Sequence, residues 1–357
     1  MYYPAIDLHK NNLQVVTVDQ EGKIEDSVRL DTADKEAIKQ YFASFPPGTS
    51  VVIEATTGWE WLSDMLMELG LKVKLANPHK VRLIAEATIK TDKVDALTLA
   101  QLERTNFLPT SYIPPKDVRE KRSITRHRRR LVKLRTICKN AIHSLLREKG
   151  IQIREVSDLF SKKGKKLLQE IDIRGLYREE MDDYLSIIDT LDSCIERQEE
   201  KMKKISQMGE NIQLLMTIPG FSYISAVTIL AEIGDISRFS SAKNLCSFAG
   251  LVPTTSQSGD KVYHGHLKKD SNKTIRTTLL QIVPHIIRAC PYLRAKYERI
   301  AREKGKNKAR IAIAQKICRI IYGVLREKEP YRMEGARRSK GTPVKPLIVR
   351  GPKRPFC

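Results

Sequence analysis

Asp92 and Asp95 lie three residues apart in Lys90-Thr91-Asp92-Lys93-Val94-Asp95-Ala96. On a helix that spacing projects both carboxylates from one face, a turn apart. Such a pair can hold a divalent metal ion if other carboxylates reach it from elsewhere. Two candidates stand upstream, each in an apolar strand-like run: Asp7 in Pro4-Ala5-Ile6-Asp7-Leu8-His9, and Glu54 at the end of Val51-Val52-Ile53-Glu54. A carboxylate buried in a strand requires a compensating partner, and a bound cation is one of the few that suffices. The bland alternative is that an Asp pair at this spacing is a solvated helix face, as most such pairs are. Four carboxylates converging on one place would suit Mg2+ or Mn2+, which prefer oxygen ligands. Two such ions about 4 Å apart can stabilise the attacking and leaving oxygens of a phosphoryl displacement. His9 and Lys93 flank these positions and read as surface or phosphate-facing residues rather than ligands.

The elements that must position these groups follow from periodicity. Residues 3–8, 13–18 and 24–30 read as three short strands separated by turn signals at Asn11-Asn12 and Gln20-Glu21-Gly22. Then come a helix to about Ala43, a strand over 51–55, a helix over 59–69, a strand over 72–76, and helices near 79–87 and 92–104. That order is the one of a ribonuclease-H-like (RuvC-like) α/β domain. In that fold the first and fourth strands are neighbours, which would bring Asp7 beside Glu54 and lay Asp92 and Asp95 across the same edge.

The rest of the chain has a different character. Of 357 residues, 64 are Lys or Arg and 42 are Asp or Glu, a net charge of +22. Residues 1–115 carry a net of −4 and the remainder a net of +26. A polyanionic partner for the second part is the direct expectation, namely nucleic acid. The charge is densest at Arg126-His127-Arg128-Arg129-Arg130, on a long amphipathic helix whose apolar positions include Ile124, Leu131, Leu134, Cys138, Ala141 and Leu145. A second long helix runs from about Met181 to Gln207. Tyr184, Ile188, Leu191, Ile195, Gln198, Met202 and Ile205 form a heptad seam along it. The two helices read as a coiled-coil region that either closes on itself or mediates dimerisation.

Beyond Leu214 the sequence reads as a mostly helical domain. Thr217-Ile218-Pro219-Gly220-Phe221-Ser222 resembles a helix-hairpin-helix turn, whose amides can hold a nucleic-acid phosphate, although Pro-Gly is also a common connector. A hydroxyl-rich stretch, Thr254-Thr255-Ser256-Gln257-Ser258-Gly259-Asp260, reads as a flexible loop with no evident general base beside it. It is followed by basic segments containing Lys268, Lys269, Asn272 and Arg276, then by helices near 273–288, 291–304 and 308–327. Arg126, Arg129, Arg130, Gly220, Lys268, Lys269, Asn272 and Arg276 are the expected nucleic-acid contacts. Expected domains are therefore 1–115, 116–210 and 211–330, with a basic tail over 331–357 expected to be disordered.

Several classes are excluded. The six cysteines are scattered without a Cys-x-x-Cys pair, which argues against a zinc ribbon or a secreted disulfide scaffold. No apolar run approaches the roughly 20 residues that span a bilayer, and the N-terminus has no signal-peptide pattern. A soluble cytoplasmic protein, with no membrane partner, is expected.

These motifs together resemble the DEDD transposases of the insertion-sequence-one-ten family. The resemblance rests on Ala5-Ile6-Asp7, Ile53-Glu54-Ala55-Thr56-Thr57-Gly58, Asn77-Pro78 and the Asp92/Asp95 stretch. Further along it rests on Ile218-Pro219-Gly220, Phe248-Ala249-Gly250-Leu251-Val252-Pro253, Gln257-Ser258-Gly259 and Asn272-Lys273-Thr274-Ile275-Arg276. The resemblance implies that Asp7, Glu54, Asp92 and Asp95 are the catalytic metal-binding carboxylates and that Ser258 is a catalytic nucleophile. It also implies DNA strand exchange in a prokaryotic, nucleoid-associated setting, guided by a noncoding bridge RNA that pairs with donor and target DNA. The acting species would be a dimer or tetramer. One departure is Lys269-Asp270-Ser271-Asn272, where relatives often show a glycine turn; a helix cap by Ser271 would substitute for it. Two rival functions remain at this level: a RuvC-like nuclease or junction resolvase using water, and a non-catalytic nucleic-acid scaffold.

Overall fold

The computed structural model describes residues 1–85, 91–258, 261–267 and 270–332, with the side chains of 255–258 and 261–264 outside the described set. The chain divides into two compact units, the first ending at Pro115 and the second beginning at Lys116.

The first unit is a six-stranded mixed sheet with helices on both faces. Its elements are β1 (Tyr3–Leu8), β2 (Asn12–Val18), β3 (Ile24–Asp31), α1 (Lys35–Ala43), β4 (Ser50–Glu54), α2 (Trp59–Glu68), β5 (Lys72–Ala76), α3 (Pro78–Ile84), α4 (Asp92–Arg104) and β6 (Thr110–Ser111). The strand order is β3-β2-β1-β4-β5-β6. β1 runs antiparallel to β2 and parallel to β4, and β4 runs parallel to β5. The short β6, antiparallel to β5, had no signature in the sequence.

The two faces of the sheet sort by side-chain size. Ile6, Leu13, Val15, Val51 and Ile53 point to one core with Ile38 and Phe42 of α1 and Leu62 and Leu66 of α2. Ala5, Val16, Val18, Val52 and Ala76 point to the other, where Ala96, Leu99 and Ala100 of α4 close on them. Strands covered on both faces read as continuous apolar runs, and the alanines on the second face let α4 lie close to the sheet.

The second unit is mostly helical: α5 (Lys116–Glu148), α6 (Lys162–Glu170), α7 (Leu176–Met208), α8 (Glu210–Met216), α9 (Tyr223–Ile233), α10 (Ala242–Phe248), β7 (Pro253–Ser258), β8 (Lys261–Leu267), α11 (Lys273–Ala289), α12 (Pro291–Lys304) and α13 (Lys306–Glu327). The long helices α5 and α7 pack antiparallel along one another. Cys138, Ile142, Leu145 and Leu146 meet Met181, Leu185 and Ile188 at one end, with Leu168 of α6 beneath them. Ion pairs Arg135–Asp192 and Arg128–Glu199 continue the contact. The seam on α5 differs from the expected one. Leu134 and Ile137 are 50% and 53% exposed, and Ile142 is buried where Ala141 was expected. A 33-residue helix drifts against a strict seven-residue repeat, so its contact stripe shifts along its length.

Helices α8 to α13 share one core that also includes Met202 of α7, so the helical pair and the C-terminal helices belong to a single unit. The stretch expected as a flexible loop is instead the antiparallel hairpin β7–β8, in which Ser256 pairs with Tyr263, Gln257 with Val262 and Ser258 with Lys261. Gly259 and Asp260 lie between the paired ends and outside the described residues. The signal was present: β-branched and aromatic residues on either side of a Gly-Asp pair are a hairpin pattern. Among the described residues no helix is long and apolar enough to cross a membrane, and five cysteines are free thiols. The expected basic tail falls outside the described residues from 333 onward.

Candidate functional site

Asp7 is the last but one residue of β1, and the pairing of Ile6 with Ile53 places Asp7 and Glu54 one step further along two adjacent parallel strands. They share a sheet face, that of Ala5 and Val52, against which α4 packs. Thr91 starts α4, its hydroxyl accepting the Val94 amide proton at 3.2 Å, and Asp92 and Asp95 occupy the first turn. Acidic residues are favoured there because the first turn of a helix carries partial positive charge. The first turn of α4 thus brings Asp92 to the end of β1.

The group that joins them is His9. Its Nε2 lies 3.0 Å from Asp7 Oδ2 and 3.3 Å from Asp92 Oδ1. One ligand atom from each of Asp7, His9 and Asp92 falls within 4.8 Å of the others, a spread that the first coordination shell of a single divalent cation can span. The residues present therefore fit a metal ion. Asp7 is 4% exposed. Burial pushes its carboxyl pKa up, the His9 contact pulls it down without offsetting that, and the Asp92 and Asp95 carboxylates add to the rise. Burial would lower the His9 pKa, but the Asp7 and Asp92 carboxylates outweigh it and raise the imidazole above its ordinary value.

Of the four expected carboxylates, Asp7 and Asp92 are grouped through His9. Glu54 is half-buried and lines the same cleft as Asp7 and His9, and Asp95 is exposed at the start of α4. Sequence reading missed His9 as a member of the group. The available signal was its position two residues after Asp7, which projects both side chains to the same side of the strand.

The basic residues divide into two sets. Arg126 forms a two-pronged ion pair with Glu232, Nε to Oε1 at 2.7 Å and Nη2 to Oε2 at 2.8 Å. Asn272 Nδ2 donates to the same carboxylate at 2.7 Å, and Arg122 donates to the backbone carbonyls of Ala231 and Glu232. Arg276 reaches the Gly250 carbonyl at 3.3 Å. Arg126, Asn272 and Arg276, expected as nucleic-acid contacts, thus have partners inside the fold, the first two because a fully buried Glu232 requires cations and donors around it. Arg129 donates to Thr274 Oγ1 at 2.7 Å, and Arg130 is exposed.

Asn272, not Ser271, caps α11, accepting the Ile275 amide proton at 3.0 Å. Gly220 has φ +87, and a Cβ on it would stand 2.8 Å from His285 Cβ, so this turn takes glycine for close packing against α11. Two amides of the following helix are occupied by a reciprocal cap between Ser222 and Ser225. Ser258 ends β7; its side chain, Lys268 and Lys269 lie outside what the structure describes.

Comparison with known proteins adds to this geometry. Residues 5–151 match a transposase family profile of the DEDD type, and residues 212–298 match one described as "Transposase IS116/IS110/IS902 family". The chain is 27% identical over 341 residues to the transposase for insertion sequence element IS1111A of Coxiella burnetii, covering 92% of this chain and 90% of that protein. It is 26% identical over 349 residues to a probable family 20 transposase of Pseudomonas aeruginosa, covering 92% and 98%. It is also 28% identical over 295 residues to the pilin gene-inverting protein of Moraxella bovis, covering 79% and 81%.

Proposed function

The chain belongs to the IS116/IS110/IS902 family of transposases, enzymes that cleave DNA and transfer its strands, and on that premise we propose that it exchanges DNA strands by a serine-linked mechanism centred on the Asp7 cluster. The observation that carries this reading is the convergence of Asp7, His9 and Asp92 at one edge of the sheet, with Glu54 on the adjacent strand. The order β3-β2-β1-β4-β5, antiparallel across the first three strands and parallel beyond them, supports assigning the unit to the ribonuclease-H-like, RuvC-like fold.

Asp7, Glu54, Asp92 and Asp95 would hold Mg2+ or Mn2+, oxygen-preferring ions suited to carboxylates. When bound, the cation supplies positive charge where negative charge develops on the phosphate. His9, hydrogen-bonded to Asp7, orients that carboxylate. Ser258 Oγ attacks the scissile phosphorus and loses its proton; an O–P bond to serine forms, the P–O3′ bond breaks, and the 3′-oxygen leaves as a hydroxyl. A 3′-hydroxyl from the exchanged strand then attacks the phosphoserine, restoring the diester and releasing Ser258. Splitting the exchange in two conserves the bond energy in the covalent intermediate. A bridge RNA pairing with donor and target DNA selects the sites, and a dimer or tetramer acting in the prokaryotic cytoplasm supplies carboxylates and serine from different protomers. Arg129 and Arg130 are the α5 side chains assigned to phosphate contacts.

The test is denaturing-gel trapping of protein on donor DNA with Mg2+ and the element's RNA. A covalent adduct is expected, lost in Ser258→Ala and in Asp92→Ala. Cleavage that persists in Ser258→Ala without an adduct would leave a water-using nuclease instead.

A further inference from the structure

Asp7 and Glu54 line a cleft of 640 Å³ whose walls also carry a different chemistry. Lys10 follows β1, Lys35 opens α1, Trp61 lies in the first turn of α2, and Thr56 and Thr57 line the connection from β4. Both lysines are exposed and Trp61 is half-buried. Lys35 Nζ stands 5.6 Å from the Trp61 ring centroid, over one face of the indole. Gly58, in the left-handed region at φ +92, lies beside the indole, where a Cβ would stand 3.7 Å from Trp61 Nε1.

An acidic cluster repels the phosphodiester it must cleave. Two ammonium groups in the same cleft offset that repulsion. An aromatic face among cations and hydroxyls is how sites for unpaired nucleotides are built, because every base has a π-face and stacks irrespective of its sequence. A paired base keeps its faces inside the duplex stack and cannot use such a platform. We infer that Trp61, Lys10 and Lys35 form a subsite for an unpaired nucleotide of the scissile DNA strand. The base stacks on the Trp61 indole, displacing Lys35 from the ring face, and Lys10 and Lys35 contact the flanking phosphates. This rests on the carboxylate cluster being the cleavage centre. It makes Trp61 a positioning residue, which holds the strand locally unpaired next to that centre.

The chain has two tryptophans, Trp59 and Trp61, so Trp59→Phe in the full-length protein leaves Trp61 as the one indole. Its emission is followed in EDTA, where binding is read without cleavage, against single-stranded DNA, duplex DNA and RNA of one sequence, and inorganic phosphate. Single-stranded DNA is expected to quench Trp61 saturably, at concentrations about 10-fold lower than the duplex, and phosphate not at all. Lys35→Ala should shift that titration to higher concentration, while Asp7→Asn should leave the quench intact and abolish cleavage. Should Trp59→Phe fail to fold, wild-type emission minus that of Trp61→Phe reports the same indole. Unchanged emission while anisotropy shows the oligonucleotide bound overturns the subsite, as does equal quenching by duplex, or tighter quenching by RNA than by DNA. Absent quenching together with loss of cleavage in Asp7→Asn would overturn the subsite alone; cleavage surviving in Asp7→Asn would overturn the carboxylate reading on which it rests.

Discussion

At the scale of single residues, the site is defined by a charge the fold has no stability reason to bury. Asp7 sits in a strand where its neighbours are all apolar, and burial raises its pKa. Replacing it by Asn removes the cost of burying a charge while keeping the shape. Asp7→Asn is therefore expected to lower cleavage by about two orders of magnitude or more, with a melting temperature equal to or above that of the wild type; a large loss of melting temperature would make Asp7 a structural residue. The site was partly legible at this scale. Asp7, Glu54, Asp92 and Asp95 stand out as carboxylates in apolar runs or at helical spacing. His9 did not, because a histidine at a strand end is commonplace, and what distinguishes it is Asp92 at 3.3 Å, from an element more than eighty positions away.

At the scale of elements, the Glu232 carboxylate binds three helices together. Arg126 reaches it from α5, Asn272 from the start of α11, and Glu232 itself belongs to α9. Burial alone would push its pKa up, but the bonds from Arg126 and Asn272 and the charge of Arg122 hold it below the ordinary value of 4.5. Glu232 is fully buried while Arg126 is half-exposed, so Arg126→Ala leaves a buried charge with only Asn272 and Arg122 beside it and should cost about 1–3 kcal/mol in denaturant unfolding. Arg130→Ala, at an exposed position of the same helix, should stay within about 0.5 kcal/mol. The pH dependence has a definite sign. A carboxyl with a depressed folded-state pKa contributes its stability above the unfolded value and loses it as pH falls through the folded one. Wild-type stability should thus drop below about pH 4.5 more steeply than that of Glu232→Gln, and parallel curves would contradict the network.

At the scale of the whole molecule, charge is divided as unevenly as structure. The first 115 residues carry a net of −4 and the rest +26, a division that coincides with the boundary between the two units at Pro115 and Lys116. The second unit is the natural seat of sequence-independent attraction to nucleic acid, and such binding releases counterions. A fragment of residues 116–357 should lose about 10³-fold or more in affinity for DNA between 50 and 200 mM salt. Arg130→Ala should reduce the slope of log K against log salt by about 1, while the 1–115 fragment shows no comparable binding by anisotropy. A salt-independent affinity would move the nucleic-acid surface elsewhere.

Local pattern by itself determined most elements of the first unit to within a few residues, the short β6 excepted. Alternating or continuous apolar runs specify strands, an Asn or Thr before a periodic segment specifies a helix start, and two aspartates three apart specify a shared face. Each of these signals is contained within a few consecutive residues. Tertiary structure alone decided which charges find a partner within the fold. Arg126 and Arg130 are both exposed and indistinguishable in the run Arg126-His127-Arg128-Arg129-Arg130, yet Arg126 reaches a buried carboxylate 106 positions away. The same holds for His9 between Asp7 and Asp92, and for Asn272 rather than Ser271 at the start of α11. An ion pair or a hydrogen bond depends on two groups meeting in space, and no periodicity along the chain carries the identity of a partner that only the packed core brings within 3 Å.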